Sequence, residues 1–281
     1  MTFPPSLLDR PQALWELLAR KPAGLITDVD GVLSPIAGRP DGALVHPRVP
    51  DLLRRVVGRL GLVAAVSGRP IPQLLQMVPV DGMVYVGNHG LERWKEGRAT
   101  VVPEAQPFLP SIAATMRHLR DRLDFPGALV EDKGASGSIH YRLSEDPAAT
   151  RHAILQALAE CPSARGLQIA EGRMVVNVLP PIEVNKGTAV EMLVRDWHLS
   201  GAIYLGDDVT DVDAFLALKS LRRSGVCDGL SVAVSSPEAP SDLIEEADYL
   251  LEGVDAVVCL LEQMAAHVSG AAGGGPSSAD S

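Results

Sequence analysis

Short apolar runs alternate with amphipathic stretches along most of this chain. Apolar runs at 23–28, 62–66 and 83–86 predict buried strands, and the amphipathic stretches at 48–60 and 70–77 predict helices between them. After residue 186 the same rhythm returns, with helices predicted at 187–197, 211–219 and 254–267 and strands at 202–206 and 230–234. Strands that alternate with helices favour a parallel sheet flanked by helices, so we predict an α/β fold.

The middle of the chain follows a different order. A helix at about 108–124 is followed by two strands, and a second helix at 147–160 is again followed by two strands. The four strands are predicted near 127–132, 137–143, 166–170 and 173–178. Two helix–strand–strand units are typical of a small α+β module with an antiparallel sheet. We therefore predict a core made of residues 1–106 and 182–268, a cap domain inserted at 107–181, and a Gly/Ser-rich flexible tail at 269–281.

Composition narrows the possible partners and the compartment. The chain has 281 residues, of which 46% are hydrophobic, and this is enough for a sizeable core. A net charge of −10 argues against nucleic acid as a partner, because phosphate backbones require a basic surface. Cys161, Cys227 and Cys259 are odd in number and widely spaced, which predicts reduced thiols and a cytoplasmic protein. We recognise no signal peptide, no membrane span and no sign of an obligatory protein partner.

Two acidic clusters each come directly after an apolar run. Asp28 and Asp30 follow the first predicted strand and precede Gly31, while Asp207 and Asp208 follow a strand near the C-terminal end. Ligands in open α/β sheets bind at the carboxyl ends of the strands, so we expect the two clusters to meet there. Like charges held this close repel each other unless a cation compensates them, and oxygen ligands suit a hard cation such as Mg²⁺.

Two further segments favour the binding of an anion. Ser67, Gly68 and Arg69 follow the strand at 62–66 and offer a hydroxyl, an unhindered backbone amide and a guanidinium in succession. Lys186 precedes an apolar-periodic helix, and the free amides at the start of a helix also attract anions. These groups predict a locally positive phosphate site in an otherwise acidic protein.

In their order and strand context, these four segments resemble the motifs of the haloacid dehalogenase superfamily of phosphotransferases. The chain further resembles the trehalose-6-phosphate phosphatase family over about residues 22–260. The resemblance rests on the segments 28–36, 67–69, 87–92, 131–134, 139–142 and 206–215. It implies a Rossmann-like parallel-sheet core of haloacid dehalogenase type with an inserted small α+β cap. It also implies a Mg²⁺-dependent phosphatase that hydrolyses trehalose 6-phosphate through an aspartyl-phosphate intermediate.

The same resemblance implies roles for individual residues. Asp28 would attack phosphorus, and Asp30 would protonate the departing sugar oxygen and then deprotonate the attacking water. The groups that bind the phosphate would be Ser67, Gly68, Arg69 and Lys186. The ligands of Mg²⁺ would be Asp28, the main-chain carbonyl of Asp30, Asp207 and, nearby, Asp208.

The residues expected to contact the sugar follow the strand at 83–86 or lie in the predicted cap. They are Asn88, His89, Glu131, Lys133, Arg142 and Asn177. Of these, Arg142 is expected to lie on the strand at 137–143, on the same face as His140. The family usually carries a Glu where this chain has Asn177 and a basic residue where it has Leu179. The identity of the sugar that leaves therefore stays open.

Two alternatives therefore remain beside the leading interpretation. One is a phosphatase for a related sugar phosphate, such as a trehalose-like pseudo-disaccharide phosphate or a glycosyl-phosphoglycerate. The other is a non-catalytic sensor of sugar phosphates. The complete set of Asp28, Asp30, Lys186 and Asp207 favours catalysis, because a protein that only binds needs neither a nucleophile nor an acid.

Overall fold

The structure is a computed structural model that describes residues 3–37, 42–123, 126–172, 174–236 and 239–270. Its strands are β1 (Ala23–Thr27), β2 (Leu62–Val66), β3 (Val84–Gly87), β4 (Glu92–Lys95), β5 (Arg98–Val101), β6 (Leu129–Asp132), β7 (Gly137–His140), β8 (Gln168–Gly172), β9 (Val175–Leu179), β10 (Gly201–Gly206), β11 (Asp228–Ser235) and β12 (Tyr249–Glu252). Its α-helices are α1 (Gln12–Ala19), α2 (Val49–Val56), α3 (Ile71–Met77), α4 (Leu109–Arg122), α5 (Pro147–Glu160), α6 (Lys186–Asp196), α7 (Val209–Arg223), α8 (Ser241–Glu246) and α9 (Gly253–Gly270).

The larger sheet has the strand order β12-β11-β10-β1-β2-β3-β4-β5. Neighbouring strands are parallel from β12 to β3, and β4 and β5 extend the sheet as an antiparallel hairpin. β1 pairs with β10 so that Thr27 lies opposite Leu205. Because both strands run in the same direction, the residues that follow them leave the sheet at one edge, which is where the two acidic clusters begin.

Helices cover both faces of this sheet, and the sequence of β1 shows why. Leu25 packs with residues of α1, α2 and α9 in one buried cluster, whereas the next residue, Ile26, packs with residues of α6 and α7 in another. Side chains alternate between the faces of a strand, so a strand that is buried on both faces needs an uninterrupted apolar run. Accordingly, all five residues of β1, all five of β2 and all six of β10 are buried.

The smaller sheet is antiparallel, with the order β6-β7-β9-β8. Ile139, Val176 and Val178 point from it into a core that they share with α4 and α5. The opposite face is polar, because register places Glu131 and Asn177 on either side of Ser138. This polar face lines a cavity that it shares with the carboxyl edge of the larger sheet.

The predicted α/β fold is confirmed, and the smaller sheet lies within the segment predicted as a cap. The domain limits at 107 and 181 stay a prediction. Strand β7 ends at His140, so the prediction that Arg142 lies on this strand is wrong, and Arg142 sits in the exposed turn that follows. The hairpin β4–β5, strand β12 and helix α8 were not predicted.

The tail predicted at 269–281 lies outside the described residues from 271 onward, and α9 continues to Gly270. Among the helices described, none combines the length and apolar character needed to cross a membrane.

Candidate active site

Two buried carboxylates lie side by side at the carboxyl edge of the larger sheet. Asp28 follows β1 and is 5% exposed, and Asp207 follows β10 and is 7% exposed. Gly31 has a φ of +76°, and a β-carbon at this position would collide with the Asp207 carboxylate. The turn after β1 therefore brings its backbone against Asp207, so the structure joins the two acidic clusters in one site.

Lys186 is the first residue of α6 and is buried between two carboxylates. Its Nζ donates to Asp28 Oδ2 at 2.7 Å and to Asp211 Oδ1 at 2.6 Å. Burial by itself would lower the pKa of the ammonium group, but the two carboxylates outweigh this effect and raise that pKa. The Asn185 side chain caps the helix by accepting from the backbone N–H of Thr188 at 2.9 Å, which fixes where α6 begins and so where Lys186 lies.

Asp211, which sequence reasoning did not select, lies at the base of the site and is fully buried. Besides the bond from Lys186, its Oδ1 accepts from the Tyr204 hydroxyl at 2.6 Å. Its Oδ2 accepts from the backbone N–H groups of Asp207 at 3.1 Å and Asp208 at 3.0 Å. An acidic residue at the third position of a helix often reaches back to the N–H groups before it, and this pattern was the available signal.

The buried carboxylates provide a donor set for a hard cation. One oxygen each of Asp28, Asp207 and Asp211 lies within 4.8 Å of the others. Burial, together with the neighbouring carboxylates, raises the pKa of Asp28 to about 7 and that of Asp207 to about 9. The Asp211 carboxylate already accepts four hydrogen bonds, whereas that of Asp207 accepts none from the described residues. Asp28 and Asp207 therefore fit Mg²⁺, and Asp211 serves the lysine and the backbone.

The Ser67–Arg69 turn lies beside these carboxylates. Ser67 follows β2, is 2% exposed, and accepts from the backbone N–H of Arg69 at 3.3 Å. A β-carbon at Gly68 would collide with the ring of His89, so only glycine fits between this turn and the histidine. Burial and two nearby lysines lower the pKa of His89 to about 3, so its ring is neutral at neutral pH.

Arg69 forms a two-pronged ion pair with Asp30. Its Nε donates to Asp30 Oδ2 at 2.6 Å and its Nη2 donates to Asp30 Oδ1 at 2.7 Å. Parallel bonds of this kind fix the plane of a carboxylate as well as its position. Arg69, which was predicted to bind the phosphate, is thus bonded to Asp30, the predicted acid/base residue, and the sequence did not predict this pairing.

The smaller sheet contacts the core through the turn between β6 and β7. Lys133 in this turn donates from Nζ to the backbone carbonyl of Gly68 at 3.1 Å. Asn88 is fully buried, donates to the Lys133 carbonyl at 3.1 Å, and accepts from Ser136 Oγ at 2.6 Å. The amide of Asn88 therefore holds the turn, and its predicted contact with the sugar stays a prediction against which these two bonds argue.

Glu131 lies on the polar face of the smaller sheet, where three side chains hold its carboxylate. Its Oε2 lies 3.0 Å from His140 Nε2 and 3.8 Å from Lys133 Nζ, and its Oε1 accepts from Gln73 Nε2 at 2.9 Å. Burial alone would raise its pKa, but the hydrogen bond with His140, the Lys133 charge and the Gln73 amide lower it to about 2. Glu131 is thus a fixed anion at neutral pH.

A cavity of about 1100 Å³ separates the polar face of the smaller sheet from the carboxyl edge of the larger one. Among its lining residues are all the predicted site residues except Asn88, namely Asp28, Asp30, Ser67, Gly68, Arg69, His89, Glu131, Lys133, Arg142, Asn177, Lys186, Asp207 and Asp208. Asn177 accepts from Ser138 Oγ at 2.7 Å, and Leu179 lines the same wall. The site therefore has a charged floor in the core and a polar roof in the smaller sheet.

Comparison with known proteins finds a matching family and several similar relatives. The family model described as Trehalose-phosphatase matches residues 26–249. A probable trehalose-phosphate phosphatase I of Arabidopsis thaliana is 30% identical over 279 residues, covering 92% of this chain and 72% of the relative. The trehalose 6-phosphate phosphatase RA3 of Zea mays is 30% identical over 252 residues, covering 82% of this chain and 67% of the relative.

Solved structures of similar proteins share the fold. The crystal structure of a trehalose-6-phosphate phosphatase related protein has a TM-score of 0.73 at 21% identity, covering 88% of this chain and 99% of that one. The C-terminal domain of the trehalose-6-phosphate phosphatase of C. albicans has a TM-score of 0.70 at 21% identity, covering 94% of this chain and 98% of that one. At this level of identity the likeness concerns the fold.

Proposed function

The chain belongs to the trehalose-phosphatase family, whose members are phosphoric monoester hydrolases, and from this premise we propose that it hydrolyses trehalose 6-phosphate to trehalose and phosphate. The observation that carries the proposal is the geometry of Asp28. This carboxylate is buried at the floor of the cavity, where it is held by Lys186 and lies beside Asp207. A binding protein for sugar phosphates would gain nothing from a buried, oriented carboxylate that repels its ligand.

Asp28 is the nucleophile in this proposal. Its Oδ2 accepts from Lys186 Nζ and its Oδ1 accepts from the backbone N–H of Val29 at 2.6 Å, so the plane of the carboxylate is fixed. Attack of an Asp28 oxygen on phosphorus breaks the bond to the sugar oxygen and forms an aspartyl-phosphate. Water then hydrolyses this intermediate and restores the carboxylate.

Asp30 moves the proton in both steps. A sugar alkoxide is a poor leaving group, so its oxygen must receive a proton as the P–O bond breaks. Asp30 lies two residues after Asp28 and lines the same cavity, and its carboxylate is oriented by Arg69. Asp30 enters the first step protonated on one oxygen, while the other oxygen still accepts from Arg69, and it gives this proton to the leaving oxygen. It then accepts a proton from the water that attacks the phosphorylated Asp28, which restores its starting state.

Positive and hydrogen-bonding groups hold the phosphoryl oxygens. Ser67 and the backbone of Gly68 lie at the same floor as Asp28, and Lys186 contributes a buried charge beside them. Asp28, the main-chain carbonyl of Asp30 and Asp207 would hold Mg²⁺, with Asp208 nearby. When bound, this ion neutralises the repulsion between the carboxylates and the phosphate.

The polar face of the smaller sheet recognises the sugar leaving group through hydrogen bonds. Glu131 and Lys133 are fixed opposite the floor and offer an acceptor and a donor to sugar hydroxyls. Asn177 favours the second candidate, a related sugar phosphate, because Ser138 occupies its Oδ1 and a neutral amide replaces the carboxylate usual in the family. The two candidates share the chemistry at Asp28 and differ only in the leaving group.

A phosphate-release assay tests this proposal. The purified chain with Mg²⁺ is offered trehalose 6-phosphate, glucose 6-phosphate, a glycosyl-phosphoglycerate and 4-nitrophenyl phosphate, and an Asp28→Asn variant is the matched control. We expect the highest kcat/KM for trehalose 6-phosphate and no turnover by Asp28→Asn. A clear preference for another sugar phosphate would replace the proposed substrate, and turnover by the variant would remove Asp28 from the mechanism.

A further inference from the structure

A continuous line of polar side chains runs from the acid/base residue in the core to the roof of the cavity. Asp30 is bound by Arg69, and the remaining prong of the guanidinium, Nη1, donates to Gln73 Oε1 at 3.2 Å. Gln73 in turn donates from Nε2 to Glu131 Oε1 at 2.9 Å. Glu131 is anchored at its other oxygen by His140 at 3.0 Å. Gln73 is thus the link between two groups for which the mechanism already provides roles.

Only an amide of this length satisfies both neighbours. Arg69 has donors and no acceptor, and the ionised Glu131 has acceptors and no donor. The Gln73 side chain must therefore point its oxygen to the guanidinium and its NH₂ group to the carboxylate, so its orientation is set by its partners. A methionine has nearly the same length and shape but lacks both the acceptor oxygen and the donor, and so breaks the line without opening space.

We propose that Gln73 is a positioning residue that ties Arg69, and through it the Asp30 carboxylate, to the sugar-reading Glu131; this inference rests on the proposed function. Gln73 lies on α3, which begins two residues after Arg69 and is held there because Ile71 N–H donates to Glu92 Oε2 at 3.1 Å. One side chain thereby connects the position of the smaller sheet, through Glu131, to the orientation of Asp30, through Arg69. Without Gln73, the guanidinium loses the hydrogen bond from Nη1 through which it is connected to Glu131.

The chemical consequence depends on the leaving group. A sugar oxygen or a phenol oxygen needs a proton from Asp30 as it departs, whereas 4-nitrophenolate is stable enough to leave without one. A displaced Asp30 therefore slows the first two esters and spares the third. The parameter kcat/KM isolates this step, because it reports events up to the first irreversible one and excludes hydrolysis of the phosphorylated Asp28.

The test compares Gln73→Met with Gln76→Met, an exposed glutamine three residues further along α3. Each variant is assayed with trehalose 6-phosphate, phenyl phosphate and 4-nitrophenyl phosphate, and thermal unfolding verifies the fold. For Gln73→Met we expect kcat/KM to fall at least about tenfold on the first two esters, since displacement of a catalytic group by 1 Å can cost about a hundredfold. Its value on 4-nitrophenyl phosphate should stay within about twofold, and Gln76→Met should match the native chain on all three.

Other outcomes overturn the inference in distinguishable ways. A loss confined to trehalose 6-phosphate would limit the role of Gln73 to sugar recognition, directly or through Glu131, and equal losses on all three esters would make it a structural residue. If the native chain hydrolyses both aryl esters but not trehalose 6-phosphate, the proposed substrate is wrong and the two aryl esters still decide the role of Gln73. A native chain that hydrolyses none of the three contradicts both proposals.

Discussion

Replacement of Asp211 by asparagine should destabilise the protein through a hydrogen-bonding mismatch. Asp211 is fully buried, and its two oxygens accept four hydrogen bonds, three of them from groups that can only donate. Lys186 Nζ and the Tyr204 hydroxyl share Oδ1, and the backbone N–H groups of Asp207 and Asp208 share Oδ2. An asparagine amide of the same shape must turn its NH₂ group toward one of these pairs, whichever way it is rotated.

The expected magnitude follows from the bonds that are lost. If the NH₂ group faces Lys186, a charge-assisted bond worth about 1.5–3 kcal/mol disappears, and the ammonium proton left without an acceptor adds about 1 kcal/mol, whereas the Tyr204 hydroxyl can turn to accept. Removal of one negative charge also relieves repulsion with Asp28 and Asp207, which offsets part of this loss. We therefore expect Asp211→Asn to lower the free energy of unfolding by about 2–4 kcal/mol, near the range for a broken buried ion pair.

Urea denaturation in the presence of a chelator measures this change, with Asp121→Asn, at an exposed position of α4, as the control. A second titration, with Mg²⁺ in place of the chelator, separates the two roles that buried carboxylates play. Asp211→Asn should keep the stabilisation by Mg²⁺, whereas Asp207→Asn should lose it, because a ligand stabilises only the state that binds it. An Asp211→Asn variant as stable as the control, or one that no longer responds to Mg²⁺, would refute this interpretation of the site.

Three further substitutions test the remaining roles. Asp30→Asn should lower kcat/KM for trehalose 6-phosphate by about 10²-fold or more, the scale of general acid catalysis, while sparing 4-nitrophenyl phosphate. Glu131→Ala should reduce kcat/KM for trehalose 6-phosphate much more than for 4-nitrophenyl phosphate, and equal losses would mean that the roof does not read the sugar. If the native chain prefers another sugar, Asn177→Glu should raise kcat/KM for trehalose 6-phosphate. The gain in transition-state stabilisation should be about 1–2 kcal/mol, because a hydrogen bond to a charged group is stronger than one to a neutral group by about this amount. A lower kcat/KM for trehalose 6-phosphate in that variant would show that the native amide of Asn177 already suits trehalose.

The parallel core could be predicted because its strands are buried on both faces. The apolar runs of β1, β2 and β10 are the direct consequence of that burial, so periodicity finds them. The hairpin β4–β5 was not predicted for the opposite reason, because Arg93, Lys95 and Arg98 interrupt its sequence and leave no apolar run. Its one signal was the Glu96-Gly97 turn, where both residues have a positive φ, of 50° and 83°.

The same contrast applies to the site. Asp28 and Asp207 could be predicted to meet because each follows a strand directly, and parallel strands end at one edge of the sheet. The hydrogen bond between Gln73 on helix α3 and Glu131 on strand β6 joins residues 58 positions apart, and no local sequence pattern contains it. Arg142 was misplaced because the alternation through Tyr141 and Leu143 continues beyond the last residue that pairs in the sheet.

The measurement that tests the central claim most directly is the transfer of phosphate from trehalose 6-phosphate to Asp28. The native chain is mixed with trehalose 6-phosphate labelled in its phosphate group and quenched in acid within a single turnover, and the labelled peptide is then sequenced by mass spectrometry. The proposed mechanism predicts a phosphoryl group on Asp28 that forms and decays at rates compatible with kcat, and none in the Asp28→Asn variant. A label on another residue, or full turnover with no labelled peptide at any quench time, would contradict it.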